Sequence, residues 1–499
     1  MNNKLWSILA LLVVVSLLGS CATPTPAPTQ PPAAAPTTAP AAAPTKAPAA
    51  APTTAPAAAP TTAPAAGGCK DSDRVPISWS LIAGFYTDAM TTIVKDFEAK
   101  NCVKVTMVGI DNSQLYDKQI IEAVGKTGAY DVYNIETAEK AGFAENGYIL
   151  PMDDYIKANA DKVQYDDIAP ILADLTTKYK GKIWGLPYYT YTQGQFFRQD
   201  LFEDPTEQAA FKAKYGYDLK PPTTWDQMTN VAEFFTRKKG AMLKGQPLEK
   251  DFYGIGLMAG RFQEIQDELS GMIWYKGSDW LKDDGTITAK DEANLWALKF
   301  YVEKLLPYAP PAALTVTYDG VMNQMQDCQI AMTANFFLDQ WPNAANTEKK
   351  CPGAKMGIGV GIEKTAYIGA FLMGVSSSSK HPKEAMDFVA YVGGKEAQTK
   401  FASMGGSTTR ISVLKDPQFN TPASRPFTAH FAYLLQVFDN MKDKKSNLFY
   451  SPYGAKLYNA MGPIYHTAAA KEVTPEKAVQ TLYDEFVKIC GGPKCTVNK

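Results

Sequence analysis

Residues 179–201, YKGKIWGLPYYTYTQGQFFRQDL, are the stretch from which the fold of this 499-residue chain is inferred. Pro187 has no N–H and a restricted φ, so it ends the strand pairing that precedes it. Bulky aromatic residues that favour strands follow it: Tyr188, Tyr189, Tyr191, Phe196 and Phe197. We therefore predict a strand that leaves one lobe, crosses a hinge and enters another lobe. The alternative is an ordinary buried strand followed by a turn.

The chain upstream of this segment alternates between strand and helix patterns. The successive segments are a strand VPISWS from Val75, a helix over 88–100, a strand over 103–110, a helix around 113–124 and a strand over 130–136. This βαβαβ order predicts a parallel sheet with helices on both faces. Ligands bind at the carboxyl ends of the strands in such sheets, so the loops at 84–86, 111–114 and 136–138 are expected at one edge.

Several segments, in this order and at this spacing, resemble the carbohydrate-binding extracellular solute-binding proteins of bacterial ABC importers. Besides YKGKIWGLPYY at the crossing, the similar segments are DAMTTIVKDFEAKN followed by VKV, YDVY, AGFAENGYILPMDDYI, PPTTWDQM, YGIGLM, QDCQIAMTANFFLDQW, IGAFLMGVSSSSKHPKEAMDFVAYVGGKEAQ and GGSTTR. They cover nearly all of residues 75–420, and no single segment is diagnostic. Cys328 and Gln329 depart from the family pattern, which usually has Gly there.

The resemblance implies an α/β, two-lobed periplasmic-binding-protein-like fold. Each lobe is expected to be a mostly parallel sheet flanked by helices, and hinge crossings join the two lobes. We expect 69–185 and about 316–368 to form the first lobe, and about 190–312 and 371–499 to form the second. Helical stretches beyond residue 422 are expected to pack on the second lobe.

The resemblance also implies a binding protein without catalytic activity or cofactor. Such a protein, expected to be a monomer, captures a sugar, oligosaccharide or polyol between closing lobes and delivers it to the membrane subunits of an ABC importer. Two alternatives stay open. One is a surface-tethered carbohydrate-active enzyme, because carboxylates suited to glycoside hydrolysis are plentiful. The other is the same fold with a non-sugar solute, such as an amine, a phosphate ester or a chelated metal.

Composition argues against several other classes of function. The net charge is −1, which makes no electrostatic case for binding nucleic acid. The three histidines lie far apart in the sequence, and no Ser or Cys stands in a nucleophile-elbow context, so a catalytic triad is not expected. Neither a Walker lysine motif nor a dinucleotide fingerprint is present. No metal site is predicted, because the cysteines lack paired CxxC spacing and nearby histidines.

The candidate ligand-binding residues are aromatic and polar side chains near the predicted lobe edges. Sugars present apolar C–H faces and a rim of hydroxyls, so their sites need flat rings and planar hydrogen-bonding groups. Glu136, Tyr189 and Trp341 are favoured, because position and family likeness coincide there. The full set is Trp79, Tyr86, Asp111, Glu136, Tyr189, Gln193, Trp274, Asn335, Trp341 and Arg410. Core packing is the alternative for Trp79, Trp274 and Trp341, and Arg410 has the alternative of pinning its own loop.

The N-terminus predicts a lipid-anchored protein outside the cytoplasm, at the cell surface or in a periplasm. Residues 1–20 have one cation, Lys4, and an apolar run typical of a signal peptide. The run ends in Leu-Gly-Ser before Cys21, which resembles the lipobox of bacterial lipoproteins. Residues 22–68 are almost entirely Ala, Pro and Thr, a composition typical of an extended spacer that permits O-glycosylation. A simple secretory signal with an incidental Cys21 is the alternative.

The other six cysteines form an even set, which in an extracytoplasmic protein indicates disulfides. Six cysteines allow fifteen pairings, and sequential pairing is the simplest of them. It would join Cys69 to Cys102, Cys328 to Cys351, and Cys490 to Cys495.

Overall fold

The computed structural model describes residues 69–442 and 446–499, with the side chains of Phe85 and Tyr86 left out. The predicted signal peptide, Cys21 and the spacer over 22–68 lie outside the described residues. The strands are β1 Val75–Ile82, β2 Val103–Ile110, β3 Val132–Glu136, β4 Lys178–Tyr179, β5 Lys182–Ile183, β6 Leu186–Thr190, β7 Gln193–Arg198, β8 Met242–Leu243, β9 Gln246–Pro247, β10 Tyr253–Gly256, β11 Ile330–Thr333, β12 Phe336–Phe337, β13 Met356–Gly359 and β14 Ala370–Val375.

Helices surround these strands. The longer ones are α1 Phe85–Lys100, α2 Asn112–Gly125, α3 Pro205–Tyr215, α4 Trp225–Phe235, α5 Glu264–Tyr275, α6 Glu292–Phe300, α7 Tyr318–Gln326, α8 Pro382–Val392, α9 Lys395–Ser403, α10 Phe431–Met441, α11 Gly454–Ala469 and α12 Pro475–Cys490. Shorter α-helical segments are Lys140–Glu145, Asp153–Ala158, Ala160–Val163, Pro170–Leu172, Gln199–Phe202, Trp341–Ala345, Thr347–Lys350, Ile411–Leu414 and Arg425–Thr428.

Each of the two lobes is built on its own sheet. The first sheet has the strand order β2-β1-β3-β14-β6, and the second has β10-β11-β7-β12 with β13 paired to β7. In the first sheet β1 pairs in parallel with β2 and β3, as the βαβαβ pattern predicts. The two-lobed α/β prediction is therefore confirmed.

Both sheets are mixed, so the expectation of mostly parallel sheets was wrong in this detail. Strand β14 runs antiparallel to β3 and β6, and β7 runs antiparallel to β11, β12 and β13. The cause is the path of the chain between the lobes. Strands that enter a sheet from the other lobe are not preceded by a crossover helix of that sheet, so nothing requires them to run parallel.

The predicted crossing segment joins the two sheets. Strand β6 is the edge of the first sheet, and β7 lies inside the second, with Tyr191 and Thr192 between them. Pro187 lies within β6 and does not end the pairing before it, because an edge strand tolerates the missing N–H. The predicted passage of this segment from one sheet to the other is confirmed, and its role as a hinge stays a prediction.

The later segments join the opposite lobes from those expected. Strands β11 to β13 belong to the second sheet, whereas 316–368 had been expected in the first lobe. Strand β14 belongs to the first sheet, whereas 371–499 had been expected in the second lobe. The chain thus crosses back between β13 and β14, and residues 446–499 then pack on the second lobe, where α11 and α12 contact α5 and α6. Strand partners are chosen by long-range packing, which local patterns do not report.

Local sequence does set the ends and buried faces of individual helices. Pro382 begins α8, where its missing N–H costs nothing, and the predicted stripe of Ala385, Phe388, Val389 and Val392 is buried. Thr224 caps α4 by accepting a hydrogen bond from the backbone N–H of Gln227.

Three disulfides join the cysteines in the predicted sequential order: Cys69–Cys102, Cys328–Cys351 and Cys490–Cys495. In residues 69–442 and 446–499 no helix combines the length and apolar character needed to cross a bilayer.

Candidate ligand-binding cleft

Three adjoining cavities lie where the tips of the first sheet meet the second lobe. Their volumes are about 50, 360 and 200 Å³ for the central cavity and its two neighbours. The central cavity shares Glu136 and Gln263 with one neighbour, and Tyr189 and Tyr318 with the other. We call the three together the cleft.

The ends of consecutive elements position the residues of the cleft. In the first lobe, Ile82 ends β1, Asn112 begins α2 and Glu136 ends β3, so the carboxyl edge of the sheet opens into the cleft as predicted. In the second lobe, Glu264 begins α5 and Tyr318 begins α7. The cleft is therefore lined from both lobes.

Aromatic rings form one wall of the cleft near the crossing. The rings of Tyr189 and Phe371 are stacked at a centroid distance of 5.8 Å, because these residues are paired in register on β6 and β14. Tyr191 packs on Phe371 at 4.8 Å and on Phe337 of the second lobe at 6.1 Å. Such a wall offers ring faces on which the C–H groups of a sugar or polyol can stack.

Buried carboxyl groups also line the cleft. Glu136 Oε1 accepts a hydrogen bond of 3.0 Å from the Tyr191 hydroxyl, and Asp267 Oδ1 accepts one of 2.7 Å from Tyr458. Burial raises the pKa of Glu136 and that of Glu264 to about 7, and holds the pKa of Asp267 well above its usual range. These groups can accept hydrogen bonds from hydroxyls, and in their protonated form they can also donate.

Two further acids complete the polar lining. Glu139 accepts a hydrogen bond of 2.8 Å from the backbone N–H of Glu136, and burial raises the pKa of Glu139. Asp339 accepts hydrogen bonds from the Tyr189 hydroxyl and, at 2.8 Å, from Gln340. Within the described ranges, no cluster of His, Cys, Asp or Glu is arranged to hold a metal ion.

Of the ten residues proposed from the sequence, Glu136 and Tyr189 line the cleft. Asp111 lies just outside the lining: it is exposed and caps α2 by accepting hydrogen bonds from Ser113, while its neighbour Asn112 lines the cavity. Tyr86 is the second residue of α1, but its side chain lies outside the described part of the structure.

The predictions for Trp79 and Trp341 placed them wrongly, because both rings are fully buried in the lobe cores. Trp79 packs edge-on against Tyr188 and Phe388 at 5.3 and 5.5 Å. Trp341 donates a hydrogen bond of 2.6 Å to the carbonyl of Arg425. Complete burial of a large ring removes more apolar area from water than a place in a half-open wall does, so burial in the core is more favourable.

The other four candidates also lie away from the cleft lining. Gln193 begins β7 and is buried beside Tyr367, and Asn335 bridges Thr365 and Ile362 at 3.1 and 3.0 Å. The indole of Trp274 lines a separate cavity. Arg410 is buried and donates hydrogen bonds to three backbone carbonyls. This agrees with the alternative that its role is structural.

Sequence reasoning missed most of the lining in both lobes. The missed residues include Asn112, Tyr191, Gln263, Glu264, Asp267, Tyr318, Phe337, Asp339, Gln340 and Phe371. Asn112, Tyr191 and Gln340 are close in sequence to proposed residues, so a wider window around each predicted edge would have found them. Nothing in the local sequence of α5 distinguishes Glu264 and Asp267 from the solvated acids of an ordinary helix.

Comparison with known proteins agrees with the two-lobed fold. The family model described as "Bacterial extracellular solute-binding protein" matches residues 86–399. A probable amino-acid ABC transporter periplasmic-binding protein from Sinorhizobium fredii is 24% identical over 339 residues, covering 66% of this chain and 72% of the relative. An arabinooligosaccharide-binding protein from Halalkalibacterium halodurans is 21% identical over 414 residues, covering 79% and 84%.

Solved structures share the fold at low sequence identity. One of them is an ABC transporter solute-binding protein from Agrobacterium radiobacter in complex with ribitol. It superposes with a TM-score of 0.69 at 20% identity, covering 84% of this chain and 99% of that one.

Proposed function

Because this chain belongs to the family of bacterial extracellular solute-binding proteins, we propose that it is the substrate-binding component of an ABC importer. In this proposal it captures a sugar, oligosaccharide or polyol in the cleft and delivers it to the membrane subunits. The observation that carries the proposal is a single cleft lined from both lobes by aromatic rings and buried carboxyl groups.

The arrangement supports capture by closure of the lobes. A solute that contacts Glu136 and Tyr189 in the first lobe and Tyr318 in the second stabilises the closed form more than the open form. Binding then shifts the population towards closure, and the closed form is the one that the importer would recognise. No bond of the solute has to break.

The names of relatives support a polyhydroxylated solute without agreeing on one compound. The relative from Halalkalibacterium halodurans is named for arabinooligosaccharides, and the structure from Agrobacterium radiobacter contains ribitol. The relative from Sinorhizobium fredii is named for amino acids, so the family likeness alone does not select the solute.

Thermal-shift titration with a panel of polyols, monosaccharides and oligosaccharides tests this function. We expect at least one compound to raise the melting temperature in a concentration-dependent way, with no reducing sugar released from glycosides on prolonged incubation. Release of sugar would instead favour the enzyme alternative, for which the buried carboxyl groups of the cleft are the relevant feature. Absence of any stabilisation across the panel would contradict the proposal.

A matched pair of tyrosine variants locates the binding. Tyr318→Ala removes a ring that lines the cleft, and we expect the best-stabilising compound of the panel to bind 5- to 150-fold more weakly, about 1–3 kcal/mol. Tyr433→Ala removes a ring from a cavity on the outer side of the second lobe and should leave that affinity unchanged. Equal losses in calorimetry for both variants would move the site away from the cleft.

We also propose that the protein is anchored by lipid at Cys21, with residues 22–68 as a spacer. The support is the sequence: an apolar signal-type run followed by small residues and a cysteine. Mass spectrometry of the mature protein purified from membranes is expected to find an N-terminus at Cys21 carrying diacylglycerol. A mature chain that begins beyond Cys21 would remove the anchor but leave the binding function unaffected.

A further inference from the structure

The acid–base composition of the cleft is one-sided. Five carboxylic acids that line it are buried or half-buried: Glu136, Glu139, Glu264, Asp267 and Asp339. Among the described lining residues the one basic side chain is Arg261, which lies at the cleft margin, is largely exposed and pairs with Glu472 at 2.6 Å. Acids therefore predominate in the cleft lining, and its basic side chain is already paired with a carboxylate at the margin.

The acids come from both lobes and act on one another. Glu136 and Glu139 belong to the first lobe, whereas Glu264, Asp267 and Asp339 belong to the second. The charge of Glu264 contributes to raising the pKa of Glu136, and the charges of both contribute to raising that of Asp267. Lobe closure thus brings like charges together, which is unfavourable unless they are protonated or a cation lies between them.

One buried acceptor in this group is unsatisfied. The Glu264 side chain lines the central cavity, the residue is 6% exposed, and Oε2 has no hydrogen-bond partner among the described residues. A buried carboxylate oxygen without a donor costs free energy, so a solute that donates to it is favoured. A hydroxyl can supply the hydrogen bond, whereas a protonated amine supplies it and also offsets the negative charge of the ionised acids.

The aromatic wall fits the same requirement. Tyr189, Tyr191 and Phe371 line the central cavity together with Glu136, and aromatic rings attract cations as well as apolar C–H groups. The buried acids and the aromatic rings of the cleft together favour a cationic solute whose remaining atoms are apolar or hydroxylated.

We propose that the captured solute carries a protonated amine in addition to hydroxyl groups, as an amino sugar or an amino polyol does. The amine binds between Glu136 of the first lobe and Glu264 and Asp267 of the second, and the hydroxylated body lies against the aromatic wall. This inference rests on the proposed function, because it names the charge of a solute whose capture is itself proposed.

Calorimetry with matched probes on the full-length protein tests whether the solute carries a positive charge. The pairs are D-glucitol with 1-amino-1-deoxy-D-glucitol, and cellobiose with the glucosamine disaccharide, and hexylamine serves as a cation without hydroxyls. At pH 7.5 and low salt we expect the amine of at least one pair to bind tenfold or more tightly than its neutral partner. Raising the salt concentration should weaken the amine and leave the neutral partner unchanged.

Acid variants identify the groups that hold the amine. Glu264→Gln and Asp267→Asn keep the size of each side chain and are expected to abolish the tenfold preference for the amine. Asp218→Asn, an exposed acid that lines the cavity on the outer side of the second lobe, should retain it. If the preference survives in both cleft variants, the placement of the amine is wrong.

The pH dependence gives a second readout. An amino polyol stays protonated between pH 6 and 8 as other alkylamines do, whereas Glu136 and Glu264, with pKa values near 7, lose their protons in this interval. Other titratable groups also face them. These are the acids Glu139, Asp267, Glu268 and Asp319, the tyrosines Tyr191, Tyr318, Tyr367 and Tyr458, and the marginal Arg261. Affinity for 1-amino-1-deoxy-D-glucitol is therefore expected to rise with pH, with protons released on binding.

The outcomes separate this inference from the function on which it rests. A neutral partner that binds as tightly as its amine overturns the inference and leaves sugar or polyol capture intact. Binding of hexylamine alone overturns the amino-polyol proposal and the polyhydroxylated class together. Failure of every probe, in protein shown to be folded by its circular dichroism, overturns both.

Discussion

Replacing Arg410 by methionine is expected to lower the free energy of unfolding by roughly 3–5 kcal/mol. The buried guanidinium donates to the carbonyls of Gly393, Gln164 and Val163 at 2.7, 2.6 and 2.7 Å. It thereby joins the residue after α8 to the C-terminal end of the short helix Ala160–Val163. Methionine fills much of the same volume but leaves three carbonyls without their donor in a site from which water is excluded.

Burial disfavours the charged form of the guanidinium and lowers the pKa of Arg410 to about 10. The nearest carboxylate, on Asp167, is 3.9 Å away and compensates only in part. The three hydrogen bonds to carbonyls therefore carry the stabilisation.

Chemical denaturation of Arg410→Met measures the loss in free energy of unfolding, and Arg261→Met serves as the control. Arg261 is largely exposed and pairs with Glu472 on the surface, so its loss should change stability by less than about 1 kcal/mol. A loss for Arg410→Met no larger than that control would show that the buried guanidinium is not a structural clamp.

Glu136→Gln is expected to stabilise the solute-free protein at pH 8 by about 2–3 kcal/mol while weakening solute binding. Burial raises the pKa of Glu136 from 4.5 to about 7, so the folded state holds this proton between those pH values while the unfolded state releases it. Stability therefore falls as pH rises from about 4.5 to 7, and stays lowered above 7. A neutral amide removes this loss and can still accept from the Tyr191 hydroxyl.

The measurement is the free energy of unfolding of both proteins from pH 5 to pH 8. The two curves should approach each other at pH 5 and separate towards pH 8, with the variant flatter. Glu145→Gln is the matched control, because hydrogen bonds from Lys180 and Tyr179 lower the pKa of Glu145. At this largely exposed site a small loss of stability is expected instead. A Glu136→Gln protein less stable than the parent at pH 8 would refute the assigned cost of the buried carboxylate.

If Glu136→Gln raises the free energy of unfolding and lowers the affinity for the solute, Glu136 contributes to binding at a cost in stability. In the proposed mechanism, ionised acids that face each other across the cleft destabilise the empty closed form, and a bound solute offsets that cost. The same proposal expects an open cleft in the absence of solute.

Patterns with local causes were predictable from the sequence. The βαβαβ alternation predicted the parallel strands β1, β2 and β3, and the strand-end rule placed Glu136 at the cleft. The aromatic segment after Pro187 predicted the crossing between sheets, and the order of the cysteines predicted the three disulfides. Each of these features depends on residues close together in the chain or on the carboxyl ends of consecutive strands.

Features that depend on distant partners were not predictable. Trp79 and Trp341 are of the residue type that stacks on sugars, but both are buried by contacts with residues far along the chain. Trp79 packs on Phe388, and Trp341 donates a hydrogen bond to the Arg425 carbonyl. The pairing of β14 with β3 and β6 reversed the expected lobe of the later segments for the same reason.

The amino-acid sequence alone determined that two α/β lobes are joined by the segment around Pro187 and that Glu136 lies at the tip of a strand. Tertiary structure alone decided that Glu264 and Asp267, more than 120 residues further along the chain, stand opposite Glu136. Helix caps and the periodicity of helices and strands depend on residues close together in the chain, so the local sequence predicts them. The approach of like charges across a cleft exists only after both lobes have folded and met.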